Sequence, residues 1–120
     1  MKEIYTRRSI RNYTGEAISK EVLREVLKAG MNAPSGKNTQ PWHFFVVNDG
    51  DLIESLLGVS PYWSPLKKAG QGIIVCGDLD ISADPYYNFV DASAATQNIL
   101  LQAEALGYGT CWLGIAPSLE

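Results

Sequence analysis

Arg7, Arg8 and Arg11, with Ser9 among them, stand within five positions in the stretch TRRSIRNYTG. A guanidinium is a planar fork that forms paired, charge-assisted hydrogen bonds to phosphate. Three such forks and a hydroxyl suit one phosphomonoester better than a nucleic acid, whose binding stripe needs many more spaced cations. A solvated charged end is the competing reading of the same composition. A second candidate is the stretch NAPSGKNTQPW, where Pro34, Ser35, Gly36, Asn38 and Gln40 lie between a helix end and a strand start. The side chains of Asn38 and Gln40 can each donate and accept, which matches the imide edge of a flat heterocycle; an ordinary polar turn has the same composition. The third is GYGTCWLGI, whose glycines let backbone approach a ligand closely and whose Leu113 and Gly114 amides could serve a ring nitrogen. A tight helix-to-strand turn is the plainer reading.

Other chemistries lack their residues. The chain has no GxGxxG, P-loop, GxSxG or HExxH motif, and its single histidine, His43, sits in an apolar run as a core or edge residue. Cys76 and Cys111 are too far apart for a CxxC or zinc pattern and read as buried, reduced thiols of a cytoplasmic protein. The first residues carry charge without an apolar leader core, and no apolar run approaches the ~20 residues of a membrane span. The net charge of −3 argues against general binding to nucleic acid or membrane surfaces. Its distribution is uneven. Through Lys68 there are ten Lys/Arg against seven Asp/Glu, or +3; from Ala69 onward there are six acids and no Lys or Arg, or −6. Side chains that bind an anion must come from the first half.

The elements that must position these groups can be read in order. Residues 1–17 form a short helical or irregular lead-in. Ser19 caps a helix with Val22, Leu23, Val26 and Leu27 at helical spacing, fading at Gly30 and stopped by Pro34. PSGKNTQP is a loop, and WHFFVV is a strand in which Trp42 packs the loop down. DLIESLLG is a short helix, SPYWSP a mobile segment, and GIIVCG a central strand covered on both faces. A long helix begins about Asn88, small-sided at Ala92, Ser93, Ala94 and Ala95, so that it can pack closely on another helix or another subunit. Gly107 and Gly109 end it, TCWLGI is a third strand, and APSLE leaves it. This alternation predicts one α/β or α+β layer domain over residues 1–120, with one sheet, that a fuller chain would continue.

Together, RRSIRNY, APSGKNTQPWHFFVV and GYGTCWLGI, in this order and separated by the helix DASAATQNILLQAEALG, resemble the FMN-dependent nitroreductase family across essentially the whole chain. The resemblance implies a three-layer α+β fold, a central, mostly antiparallel sheet flanked by helices, in an intertwined homodimer with two flavins at its interface. It implies that Arg7, Arg8, Ser9 and Arg11 anchor the FMN phosphate and ribityl chain. Asn38 and Gln40 would be polar contacts, and Pro34, Ser35 and Gly36 would approach the isoalloxazine, often from the partner subunit. Leu113 and Gly114 would lie near flavin N5. No side chain is then needed as acid or base, because the flavin carries the chemistry. NADH or NADPH would reduce it and leave, and a nitroarene, quinone or related small-molecule acceptor would take the electrons. A flavin-binding protein of the same fold without reductase activity is the alternative. Family members usually continue with a further helix, strand and C-terminal basic residue, so the domain is expected to be incomplete at Glu120.

Overall fold

The computed structural model describes residues 1–115 of the 120. In chain order its elements are α1 (Glu3–Thr6), α2 (Lys20–Met31), β1 (Trp42–Val47), α3 (Gly50–Leu57), α4 (Ser64–Ala69), β2 (Gly72–Gly77) and α5 (Pro85–Ala105), with 3-10 turns at Gly36–Asn38 and Pro61–Trp63. The Ser19 hydroxyl accepts from the Val22 N–H at 3.2 Å and starts α2 where the apolar spacing begins. The long helix starts three residues earlier than the apolar pattern suggests. Asp84 caps it and Pro85 occupies its first turn, where the missing N–H costs nothing.

β1 and β2 are antiparallel, with Trp42 opposite Gly77 and Val47 opposite Gly72. Side-chain alternation splits the sheet into two apolar faces. On one face Phe44, Ile73 and Val75 pack against Val26, Ile99 and Ala103 of α2 and α5. Burying each of the larger aliphatic side chains stabilises by about 1.5–3 kcal/mol. On the other face Val47 and Ile74 meet Ile53 of α3 and Leu66 of α4. The result is helices, sheet, helices: three layers, as expected.

Close approach of α5 to α2 depends on small residues. A Cβ on Gly30 would lie 3.0 Å from Ile99 and 3.1 Å from Phe44, and Ala95 is fully buried against Ala33 and Trp42. Of the small-sided stretch of α5, Ala95 is thus used inside the chain, while Ser93 is exposed. Asn98 completes the junction by donating to the Ala29 carbonyl at 3.0 Å, near the end of α2.

Three expectations change. GIIVCG is covered on both faces but pairs along one edge only, so among the described residues β2 is not a central strand. TCWLGI forms no strand in its described part: Thr110 makes a single parallel bridge with Ser9, and Ile10 N–H donates to its carbonyl at 2.8 Å. A ladder needs a partner running alongside, and the chain at Ser9 meets Thr110 at one point. SPYWSP, expected as a mobile segment, forms a 3-10 turn that leads into α4: the Ser60 hydroxyl caps the turn, and Trp63 and Pro65 are buried. The APSLE exit lies outside the described residues. No helix among the described residues is long and apolar enough to cross a membrane.

Candidate functional site

The lead-in brings the arginines to the far end of the chain. Lys68 donates to the Asn12 side chain at 3.0 Å, and Gln71 accepts from Ile18 N–H and donates to the Glu16 carbonyl. Residues 12–18 are thereby tied to α4 and β2. Upstream, the Ser9 bridge seats Arg7–Arg11 beside Thr110. Gly109 permits this approach, since a Cβ there would lie 3.0 Å from Ile10. The glycine therefore serves a chain crossing as well as any ligand.

Arg11 lines a cleft of about 290 Å³ with Cys111, Trp112, Leu113 and Gly114 on one side and Pro61 to Pro65 on the other. Trp63 Nε1–H donates to the Gly114 carbonyl at 3.2 Å and fixes that wall. The Leu113 and Gly114 amides have no protein acceptor among the described residues, and both residues line the cleft. Leu113 turns its side chain into the cluster of Val47, Ile53 and Leu66, so its backbone is held from behind.

None of the three arginines pairs with a carboxylate among the described residues. Arg8 folds back onto the carbonyls of Tyr5 at 2.7 Å and Arg7 at 2.8 Å. Arg7 and Arg11 have no protein acceptor among the described residues. Burial pushes the Tyr13 phenol above its ordinary 10.0, Cys111 adds to that rise and the nearby Arg11 positive charge opposes it. Tyr13 donates to the Ile10 carbonyl, bracing the same segment.

The loop Pro34–Gln40 is elsewhere. It rests on the first turns of α5 and contributes nothing to the cleft lining. Gly36 N–H donates to Asp91 Oδ1 at 3.1 Å, Ser35 Oγ accepts from Gln40 N–H at 3.0 Å, and Gln40 Nε2 donates to Asn38 Oδ1 at 3.0 Å. Lys37, Asn38 and Gln40 all have left-handed backbones, with φ of 53°, 55° and 49°. Outside glycine such a conformation costs on the order of 1–3 kcal/mol and persists where surroundings impose it. Asn38 and Gln40 remain exposed. Trp42 is buried beneath the loop, in its expected packing role.

The structure therefore brings Arg11 into one cleft with Leu113 and Gly114, leaves Arg7, Arg8 and Ser9 beside it on the segment bridged to Thr110, and sets the loop apart. It also adds residues that composition hid. Tyr62 and Trp63 line the cleft, within a segment whose two prolines suggested only irregularity. Asp91 pins the loop, and its one signal was an acid among small residues on a helix. Cys76 and Cys111 are free and half-buried rather than fully buried. His43 is an exposed edge residue paired with Asp78.

A sequence model described as the Nitroreductase family matches residues 4–71 and 61–118. An Archaeoglobus fulgidus protein provisionally named NADH dehydrogenase/NAD(P)H nitroreductase is 47% identical over the whole chain, which covers 70% of that protein. A provisionally named nitroreductase from Desulfovibrio desulfuricans, solved in complex with FMN, aligns with a TM-score of 0.88 at 40% identity, over 94% of this chain and 66% of its own. An FMN-dependent nitroreductase from Clostridium difficile aligns with a TM-score of 0.83 at 35% identity, over 92% of this chain and 64% of its own. The chain spans about two thirds of the length of these relatives.

Proposed function

The chain belongs to the nitroreductase family, and from that premise we propose that it is an FMN-dependent oxidoreductase using NADH or NADPH. The observation that carries the reading is the placement of unpaired Arg11 in one cleft with Leu113 and Gly114, whose amides have no protein acceptor among the described residues, while Arg7 lies nearby on the segment bridged to Thr110. A dianionic phosphate would satisfy guanidiniums that have no carboxylate of their own. Tyr62 and Trp112 offer exposed aromatic surface to an isoalloxazine, and the Leu113 and Gly114 amides could offer donors to a ring nitrogen. These residues fit the group. Bound FMN supplies two-electron chemistry between the nicotinamide donor and a conjugated acceptor such as a nitroarene or quinone. The chain's own part would be to hold the phosphate with Arg7 and Arg11 and to receive the ring in the cleft beside Gly114. Donor and acceptor would then react in turn, in ping-pong order.

We read the functional unit as a homodimer. A cleft of about 290 Å³ is at the lower limit for an organic ligand of this kind, and Asn38 and Gln40 are set apart from it. A second copy can close the cleft with its own Pro34–Gln40 loop. Phe89 and Val90 of α5, 60% and 64% exposed, supply apolar surface for such a contact. Cys111 provides a direct test of the site, because it lines the cleft while Cys76 lies on β2. Bound FMN is expected to protect Cys111 from alkylation and to leave Cys76 as reactive as before. Equal labelling of Cys111 with and without saturating FMN would place the flavin elsewhere.

A further inference from the structure

Asp91 is 2% exposed in the first half of α5. Its Oδ1 accepts from Gly36 N–H, and its Oδ2 is buried with no partner among the described residues. No Lys, Arg or His pairs with it among those residues. An unpaired acid is a costly choice at a position where a small apolar residue would fill the helix face. Its visible effect is on the loop above it. Gly36 is pressed onto α5 so closely that a Cβ would lie 2.6 Å from the Tyr87 ring. Immediately beyond that fixed point come the left-handed residues Lys37, Asn38 and Gln40, locked to one another through Ser35 and through the Gln40–Asn38 bond.

We propose that Asp91 is a positioning residue for flavin binding: its carboxylate fixes the Gly36 amide, and that anchor holds the left-handed turn presenting Asn38 and Gln40. The proposal rests on the reading of this loop as a flavin contact. Asp91 does not touch the cofactor; it acts through the turn. Without the anchor, Gly36 is released from the helix and the turn can relax to right-handed conformations, which redirects both side chains.

FMN titration of the full chain, following flavin fluorescence, tests this. Asp91→Ala is expected to weaken binding about tenfold, whereas Asp91→Asn, which keeps an acceptor oxygen of the same shape, stays within about threefold of the parent. Because the effect passes through the turn, Asp91→Ala should add less than about threefold in an Asn38→Ala/Gln40→Ala background and its full effect in an Arg7→Ala background. A structural role would lower the melting temperature without this dependence on background. Asp91→Ala binding like the parent, Asp91→Asn losing as much as Asp91→Ala, or an undiminished effect in the Asn38→Ala/Gln40→Ala background would each overturn the proposal. If Asp91→Ala does not fold, Asp91→Asn and the exchange of the Gly36 amide decide instead. That exchange should be slow in the parent and in Asp91→Asn, and fast exchange in either overturns the anchor. A parent that binds no FMN overturns the reading of the site, while Gly36 exchange still reads the anchor on its own.

Discussion

Arg7, Arg8 and Arg11 read alike in the sequence, yet the structure separates them. Arg8 spends its guanidinium on backbone carbonyls, while Arg7 and Arg11 have no protein acceptor among the described residues. Replacing Arg7 and Arg11 together with alanine is expected to weaken FMN binding roughly a hundredfold, since each removes a charge-assisted contact. Arg8→Ala should cost much less. The parent's affinity should fall as salt rises, and the double variant's should change less. Titration at low and high ionic strength checks this, and equal losses for all three arginines would count against it. A second residue-scale outcome concerns His43, near the start of β1, and Asp78, just past β2, whose side chains meet at 2.8 Å. The hydrogen bond from His43, then the Asp80 amide, His43 charge and Ile81 amide, hold the Asp78 carboxyl below its ordinary 3.8. A depressed acid stabilises the fold above its unfolded pKa, and the contribution is lost as pH falls through the folded value. Asp78→Asn should therefore melt slightly below the parent at neutral pH, with the gap closing from about pH 4 downward. Thermal melts across that range read the gap, and one that persists in acid would contradict the assignment.

The elements were legible where local pattern suffices. Ser19 with the Val22–Leu27 spacing marked α2, and the aromatic and β-branched WHFFVV coincides with β1. Pairing was less legible, because it depends on a partner distant in sequence. TCWLGI has the composition of a strand but meets the chain only at Ser9. The small-sided stretch of α5 left two partners open, and burial assigns one of its residues: Ala95 is sealed within the chain, while Ser93 of the same stretch and Phe89 and Val90 before it are exposed. Enlarging Ala95 should accordingly strain the fold itself. Ala95→Leu is expected to lower stability by about 1–3 kcal/mol through overpacking against Ala33 and Trp42. A urea denaturation midpoint like the parent's would place Ala95 in softer surroundings than described.

Across the whole molecule, charge and geometry point the same way. Every Lys and Arg lies at or before Lys68, and one of them, Arg11, meets residues 111–114 of the cation-free second half in one cleft. The three motifs suggested one flavin site from their types alone. That the Pro34–Gln40 loop lies apart from the cleft was not legible in a linear order, because it depends on how the loop rests on α5. Asp91 was equally hidden, as its role appears only once Gly36 lies above it. The central claim is that this chain holds FMN and passes electrons through it. The visible spectrum of the purified protein, reconstituted with FMN and kept free of oxygen, tests this before and after NADH or NADPH is added. We predict a bound, yellow flavin that bleaches with the nicotinamide and recovers its colour with a quinone. A protein that stays colourless after reconstitution would contradict the account, and one whose bound flavin never bleaches would refute the reductase activity.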